Sequence, residues 1–167
     1  SHNHYDHFDM ATIRLLAARH PRAAWFAPLG LTPLLARVGV PSVRELDWWD
    51  AATHAGVELT CLPARHFSAR GVGDRNDTLW CGWAISAGER RVYFAGDTGY
   101  HPDFGTIGQR LGPFDVAMMP IGAYNPESLM LPIHMDPEES VRACQDLQRG
   151  AGGTMMGIHW GTYQLTD

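Results

Sequence analysis

Cysteine is scarce in this chain. Cys61, Cys81 and Cys144 are its only three, too few and too scattered for a disulfide framework or a thiolate metal site. Cys61 and Cys81 sit among apolar residues and are expected to be core thiols. Basic residues are also in short supply: 13 Lys and Arg stand against 18 Asp and Glu, a formal charge of −5. Without a basic excess to neutralise phosphates, a nucleic-acid partner is not expected. An anionic small molecule stays open, because a bound metal adds local positive charge that a sum over the sequence ignores. No apolar run approaches the length of a membrane span, and there is no signal peptide. That last absence carries little weight, since the chain opens inside a motif and the natural protein is expected to extend further at its N-terminus.

What is present suits one globular domain. The 167 residues are 45% hydrophobic and 19% charged, and no repeat or linker divides them. Short β-like runs fall at residues 24–28 (AWFAP), 57–63 (VELTCLP), 78–86 (TLWCGWAIS), 91–95 (RVYFA), 115–121 (DVAMMPI) and 154–159 (TMMGIH). Helical patterns fall at 10–19, 32–38, 104–111 and 137–149. Asp9 can cap the first helix, with Ile13, Leu16 and Ala17 on its buried face. Asp136, Pro137 and Glu139 form a capping box for the last helix; Val141, Cys144 and Leu147 line one face and Gly150 supplies the stop. Strands interleaved with helices predict a layered α/β (α+β) domain. Trp48–Trp49, in LDWWD, are read as strand aromatics, one buried and one half-exposed, in preference to an interfacial membrane pair.

The chemistry concentrates in the first loop. His2, His4, Asp6 and His7 spell H-x-H-x-D-H, four metal-type ligands within six residues, which packing alone does not explain. Imidazole nitrogen and carboxylate oxygen suit zinc and similar divalent ions. His2 and His4, two apart in extended chain, point the same way and can share one metal. Asp6 and His7 follow the turn and can reach a second. One loop cannot close two sites, so further ligands are sought among His66 (PARHF), Asp97 (AGDTG) and His159 (GIHWGT), each just after a β-like run. Asp97, flanked by glycines, is placed to bridge two ions. His20, at a helix end, can satisfy terminal carbonyls. His54 and His101, in polar loops, are expected to be solvated. His134, just before a helix cap, is either a structural turn residue or a group facing the metals.

Together these motifs resemble the metallo-β-lactamase superfamily, and within it the branch of N-acyl-phosphatidylethanolamine-hydrolysing phospholipase D and its bacterial relatives. The segments carrying the likeness are SHNHYDHFD, LPARHFSARGVGDRNDTLWCGW, YFAGDTGY, GPFDVAMMPIGAYNP, HMDPEESV and IHWGTY, spread along the whole chain. The resemblance implies an αββα sandwich and two Zn2+ ions. His2, His4 and His66 would hold one zinc; Asp6, His7 and His159 would hold the other, with Asp97 bridging. His134 matches an active-site histidine near the substrate phosphate. The chemistry it implies is hydrolysis by a zinc-held hydroxide attacking a phosphodiester, with Asp6 orienting it and His134 donating to the oxygen or the leaving group.

There are departures. The family has strands before the first motif, so the sandwich is expected to lack its N-terminal strands and to be incomplete at the C-terminus as well. Met10 stands where the mammalian phospholipase has tyrosine. The substrate, a phospholipid or small molecule, does not follow from the ligands. Rival expectations are a lactonase or other carbonyl hydrolase, a di-iron redox protein (disfavoured because those members usually carry glutamate at the position of His4), and an inactive truncated metal-binding domain. Location in the cytoplasm or at a membrane periphery, with peripheral membrane contact, is expected. Homo-oligomerisation would follow from open sheet edges.

Overall fold

A computed structural model describes residues 1–162; Tyr163, the last residue of the IHWGTY segment, lies outside them. Six strands form one mixed sheet in chain order: β3 (Ala51–His54), β4 (Val57–Leu62), β5 (Gly82–Ala87), β6 (Arg90–Phe94), β7 (Val116–Pro120) and β8 (Thr154–Ile158). A separate two-stranded parallel ribbon joins β1 (Phe26–Pro28) to β2 (Arg44–Leu46). The helices are α1 (Met10–Arg19), α2 (Thr32–Arg37), α3 (Asp103–Leu111), α4 (Glu127–Met130) and α5 (Pro137–Gln148).

Local chemistry explains most of these elements. The β3–β4 hairpin turns on Ala55 and Gly56, both at positive φ (49° and 80°), the left-handed pair a tight two-residue turn requires. β5 and β6 pair antiparallel, with Ala87 opposite Arg90 across Gly88–Glu89. From β6 onward the pairing is parallel, so each return needs a crossover: α3 links β6 to β7, and α5 links β7 to β8. Asp136 caps α5 by accepting from the Glu139 N–H at 2.7 Å; Asp9 does the same for α1 through the N–H groups of Ala11 and Thr12.

One face of the sheet packs under α3 and α5. Leu62, Tyr93, Ala117 and Met119 from the strands meet Phe104, Ile107, Ala143 and Leu147 from the helices, all buried. At β4–β5 the opposite face is covered by Leu46, with Phe26 and Trp48 against Cys61, Cys81 and Trp83. Both cysteines are the core thiols expected. Further along that face Phe94 and Met118 are half-buried and Met156 on β8 is exposed.

Several expectations are corrected. Trp48 and Trp49 lie in a turn before β3, not in a strand, and both are half-buried. Trp48 donates its indole N–H to the Trp80 carbonyl at 2.7 Å, and the Arg110 guanidinium lies 4.0 Å over the Trp49 ring. Leu16 and Val141 are exposed, because α1 and α5 each bury a narrower stripe than the pattern implied. Arg149, at φ 50°, takes the left-handed cap of α5 before Gly150 does. The fifth strand begins at Gly82 rather than at 78, and β2, β3 and α4 were not expected. His101 is buried, 7% exposed, its ring 4.2 Å from that of Phe104; the polar residues around it in sequence concealed this. Among the described residues no helix is long and apolar enough to cross a membrane.

Candidate metal centre

β4, β6, β7 and β8 run in one direction, so their C-terminal ends share one edge of the sheet. Open α/β sheets gather their sites at that edge. His66 follows β4, Asp97 follows β6, His134 lies in the loop after β7 and His159 follows β8. The opening loop is tied to the same edge: the Cys81 N–H donates to the Ser1 carbonyl at 3.0 Å. Gly96 admits that approach, since a Cβ there would lie 2.7 Å from the Ser1 Cβ.

The geometry forms two main groups, and His134 makes a third with His66 and Asp97. In the first, His4 Nδ1 lies 2.9 Å from His2 Nε2 and 3.2 Å from His66 Nε2, so three imidazole nitrogens point at one place. The His66 Nδ1–H donates to the Ile133 carbonyl at 3.0 Å, which leaves Nε2 of the neutral ring with a lone pair aimed at the group. Fixing the tautomer from behind in this way is how ligating histidines are oriented. In the second, Asp6, His7, Asp97 and His159 bring ligand atoms within 4.8 Å of one another. His7 Nε2 and His159 Nε2 approach Asp97 Oδ1 at 3.1 and 3.3 Å, and His159 Nε2 is 3.4 Å from Asp6 Oδ2. Asp97 also reaches the first group, with Oδ2 at 3.8 Å from His66 Nε2 and 4.0 Å from His2 Nε2. His134 stacks on His159 with ring centroids 5.5 Å apart and lies 5.2 Å from His66. All eight residues singled out in the sequence therefore converge.

Burial keeps His2, His4, His66 and His134 available as donors of lone pairs. Burial lowers the basicity of His2, His4 and His134, and holds His66 down to about 4. The His159 hydrogen bond leads the causes that bring Asp6 down to about 2. At Asp97 burial pushes the other way, but His7, His159 and His66 outweigh it and the carboxyl is lowered. His159 is also penalised by burial, yet Asp6 and Asp97 raise it overall.

Divalent ions fit this donor set. His7 Nε2 and Asp97 Oδ1 are buried without a hydrogen bond of good geometry, a cost that buried polar atoms rarely bear unless something else satisfies them. His2, His4 and His66 could hold one ion, and Asp6, His7, Asp97 and His159 another. His159 adopts φ 60°, a strained conformation for a residue with a side chain and one that concentrates at functional sites. Gly122 makes room for it, because a Cβ there would overlap the His159 carbonyl oxygen.

The model of the β-lactamase superfamily domain matches residues 1–160. The chain belongs to that superfamily. It is 40% identical, over 99% of its length, to the N-acyl-phosphatidylethanolamine-hydrolyzing phospholipase D 1 of Caenorhabditis elegans, covering 48% of that protein. It is 46% identical, again over 99% of its length, to an uncharacterized protein of Mycobacterium tuberculosis, covering 44% of it. The chain thus spans about half the length of these curated relatives. Among solved structures, Igni18, a metallo hydrolase of Ignicoccus hospitalis, superposes with a TM-score of 0.74 at 24% identity over 97% of this chain and 62% of its own. That likeness establishes the metallo-β-lactamase type of fold.

Three residues around the centre were not singled out in the sequence. Phe67 packs its ring 4.6 Å from His4 and 5.0 Å from His66. Arg70 donates to the carbonyls of Asn3 and Phe8 at 2.7 and 3.1 Å, clamping the H-x-H-x-D-H loop from below. The Arg75 guanidinium lies 4.2 Å over the Phe67 ring. Their alternation in PARHFSARGVGDRND has no helical or strand period, so only their contacts distinguish them.

Proposed function

We propose that the chain is the metal-binding domain of a zinc-dependent phosphodiesterase of the N-acyl-phosphatidylethanolamine phospholipase D type. In this reading His2, His4 and His66 hold one zinc, Asp6, His7 and His159 hold a second, and Asp97 bridges them. The observation that carries it is the Asp97 carboxylate, whose two oxygens face two separate groups of imidazoles. The choice of a phosphodiester rests on the likeness to the C. elegans phospholipase.

Zinc, when bound, would polarise a phosphoryl oxygen and lower the pKa of the attacking water. The chain's own residues supply the rest. Asp6, held ionised well below neutrality, accepts a hydrogen bond from that water and orients it. The His66 ring is locked by Ile133 and keeps its lone pair on the centre. His134 is buried and uncharged near neutrality, with Nδ1 free of any hydrogen bond among the described residues. It is placed to donate a hydrogen bond from a ring N–H toward a phosphoryl or leaving-group oxygen. A phospholipid substrate would bring the domain to a membrane surface peripherally.

The test is metal analysis of the purified protein followed by parallel assays. Two zincs per chain, with hydrolysis of N-acyl-phosphatidylethanolamine in vesicles and of bis(p-nitrophenyl) phosphate, are expected. Iron in place of zinc, or faster turnover of a lactone or β-lactam than of either phosphodiester, would overturn the reading.

A further inference from the structure

The segment from Ser68 to Thr78 is a closed loop pinned at its base. Buried Ser68 donates its hydroxyl to the Thr78 carbonyl at 2.5 Å and accepts the Asn76 N–H on its own carbonyl at 2.8 Å. Inside the loop the Asp74 carboxylate accepts from the N–H groups of Arg70 and Gly71 at 2.9 and 2.8 Å. Asp74 is therefore turned inward and committed to the backbone. The two arginines of the loop have different fates. Arg70 is spent on the Asn3 and Phe8 carbonyls and on the Tyr5 ring, 4.0 Å away. Arg75 is exposed and makes no ion pair among the described residues.

Arg75 is nonetheless held in place. Its guanidinium lies 4.2 Å over the Phe67 ring, which meets His4 edge-on at 4.6 Å and His66 at a tilt at 5.0 Å. An unneutralised cation thus shares one aromatic ring with two imidazoles of the first group. Stacking orients the guanidinium plane and leaves its N–H fork open to a carboxylate or phosphate.

We propose that Arg75 is a specificity-determining residue that binds an anionic group of the substrate, several atoms removed from the scissile centre. This rests on the metal-centred phosphodiesterase reading above. Arg75 meets the centre through its contact with Phe67 and belongs to neither ligand group, so the anion assigned to it is a second one. Substrates carrying a second negative group on the non-scissile substituent are therefore favoured over those without one.

The experiment compares two non-hydrolysable ligands of the zinc-loaded protein by calorimetry. Hexylphosphonate and 6-phosphonohexanoate share the phosphonate and chain, and only the second ends in a carboxylate. The native protein is expected to bind 6-phosphonohexanoate at least 10-fold more tightly. Arg75→Gln should cut that preference below threefold, and Arg75→Lys should retain most of it. An unchanged preference in Arg75→Gln, or equal weakening of both ligands, would overturn the assignment. Phosphodiester turnover with no preference in the native protein would defeat this inference and leave the phosphodiesterase reading standing. If neither ligand binds and no phosphodiester is turned over, both fall.

Discussion

Asp97 and His7 meet at 3.1 Å through Oδ1 and Nε2, while the other oxygen of the same carboxylate faces His66 across 3.8 Å. A single side chain on the edge of the sheet thus spans two groups of imidazoles supplied by different elements. Asp97→Ala is expected to bring metal content to one ion or fewer per chain, with affinity falling by at least about 100-fold, since outer-shell losses alone cost about 10–100-fold. Retention of two ions on elemental analysis of the variant would refute the bridging role.

His134 stacks on His159 and comes within 4.8 Å of the ligand atoms of His66 and Asp97, outside the two groups that carry the proposed ligands. His134→Ala should therefore leave metal content intact and lower kcat for a phosphodiester by about 100-fold or more. Steady-state kinetics with paired metal analysis checks this. Unchanged turnover removes its role as a hydrogen-bond donor to the reacting oxygens.

Gly122 allows the left-handed His159 to fit, because any Cβ there runs into the His159 carbonyl. Gly122→Ala is expected to cost about 1–3 kcal/mol, the range for overpacking, and to loosen the second group of ligands. Calorimetry should show a lower Tm, and zinc titration a weaker second site. A variant as stable as the native protein would show that the loop relaxes freely.

The metal-free protein should lose stability as the solution turns acid. His66 falls from 6.5 to about 4 on folding, so between those values the unfolded chain binds the proton more readily than the folded one. Its contribution is complete above about 6.5 and lost as pH falls toward 4, on the order of 3 kcal/mol in all. His4 and His134 are lowered as well and act in the same direction; His159 is raised and opposes them. Thermal unfolding of the stripped protein between pH 7 and 4 reads the balance, and a flat profile would contradict it.

Much of the fold was legible because it is local. Asp9 and Asp136 cap their helices as the sequence indicates, and α1 has the bounds read from its pattern. β2 and β3 escaped notice because each is three or four residues long, too short for alternation to register. α4 has four residues and no side-chain cap. Leu16 and Val141 were misplaced because helical periodicity identifies a face without saying how wide a neighbour covers it.

The candidate ligands themselves were determined by sequence alone: H-x-H-x-D-H lies in six consecutive residues, and His66, Asp97 and His159 each end a β-like run. Tertiary structure decided what these residues do to one another. Strand order brings His66, Asp97 and His159 to one edge, though nearly a hundred residues separate the first from the last. The Ile133 carbonyl, reached across 67 residues, selects the His66 tautomer. The same level of structure buried His101, tied Arg70 to the backbone and left Arg75 open. Spacing along a chain specifies backbone periodicity, whereas desolvation, tautomer and charge pairing depend on groups that only the packed sheet edge brings within a few ångströms.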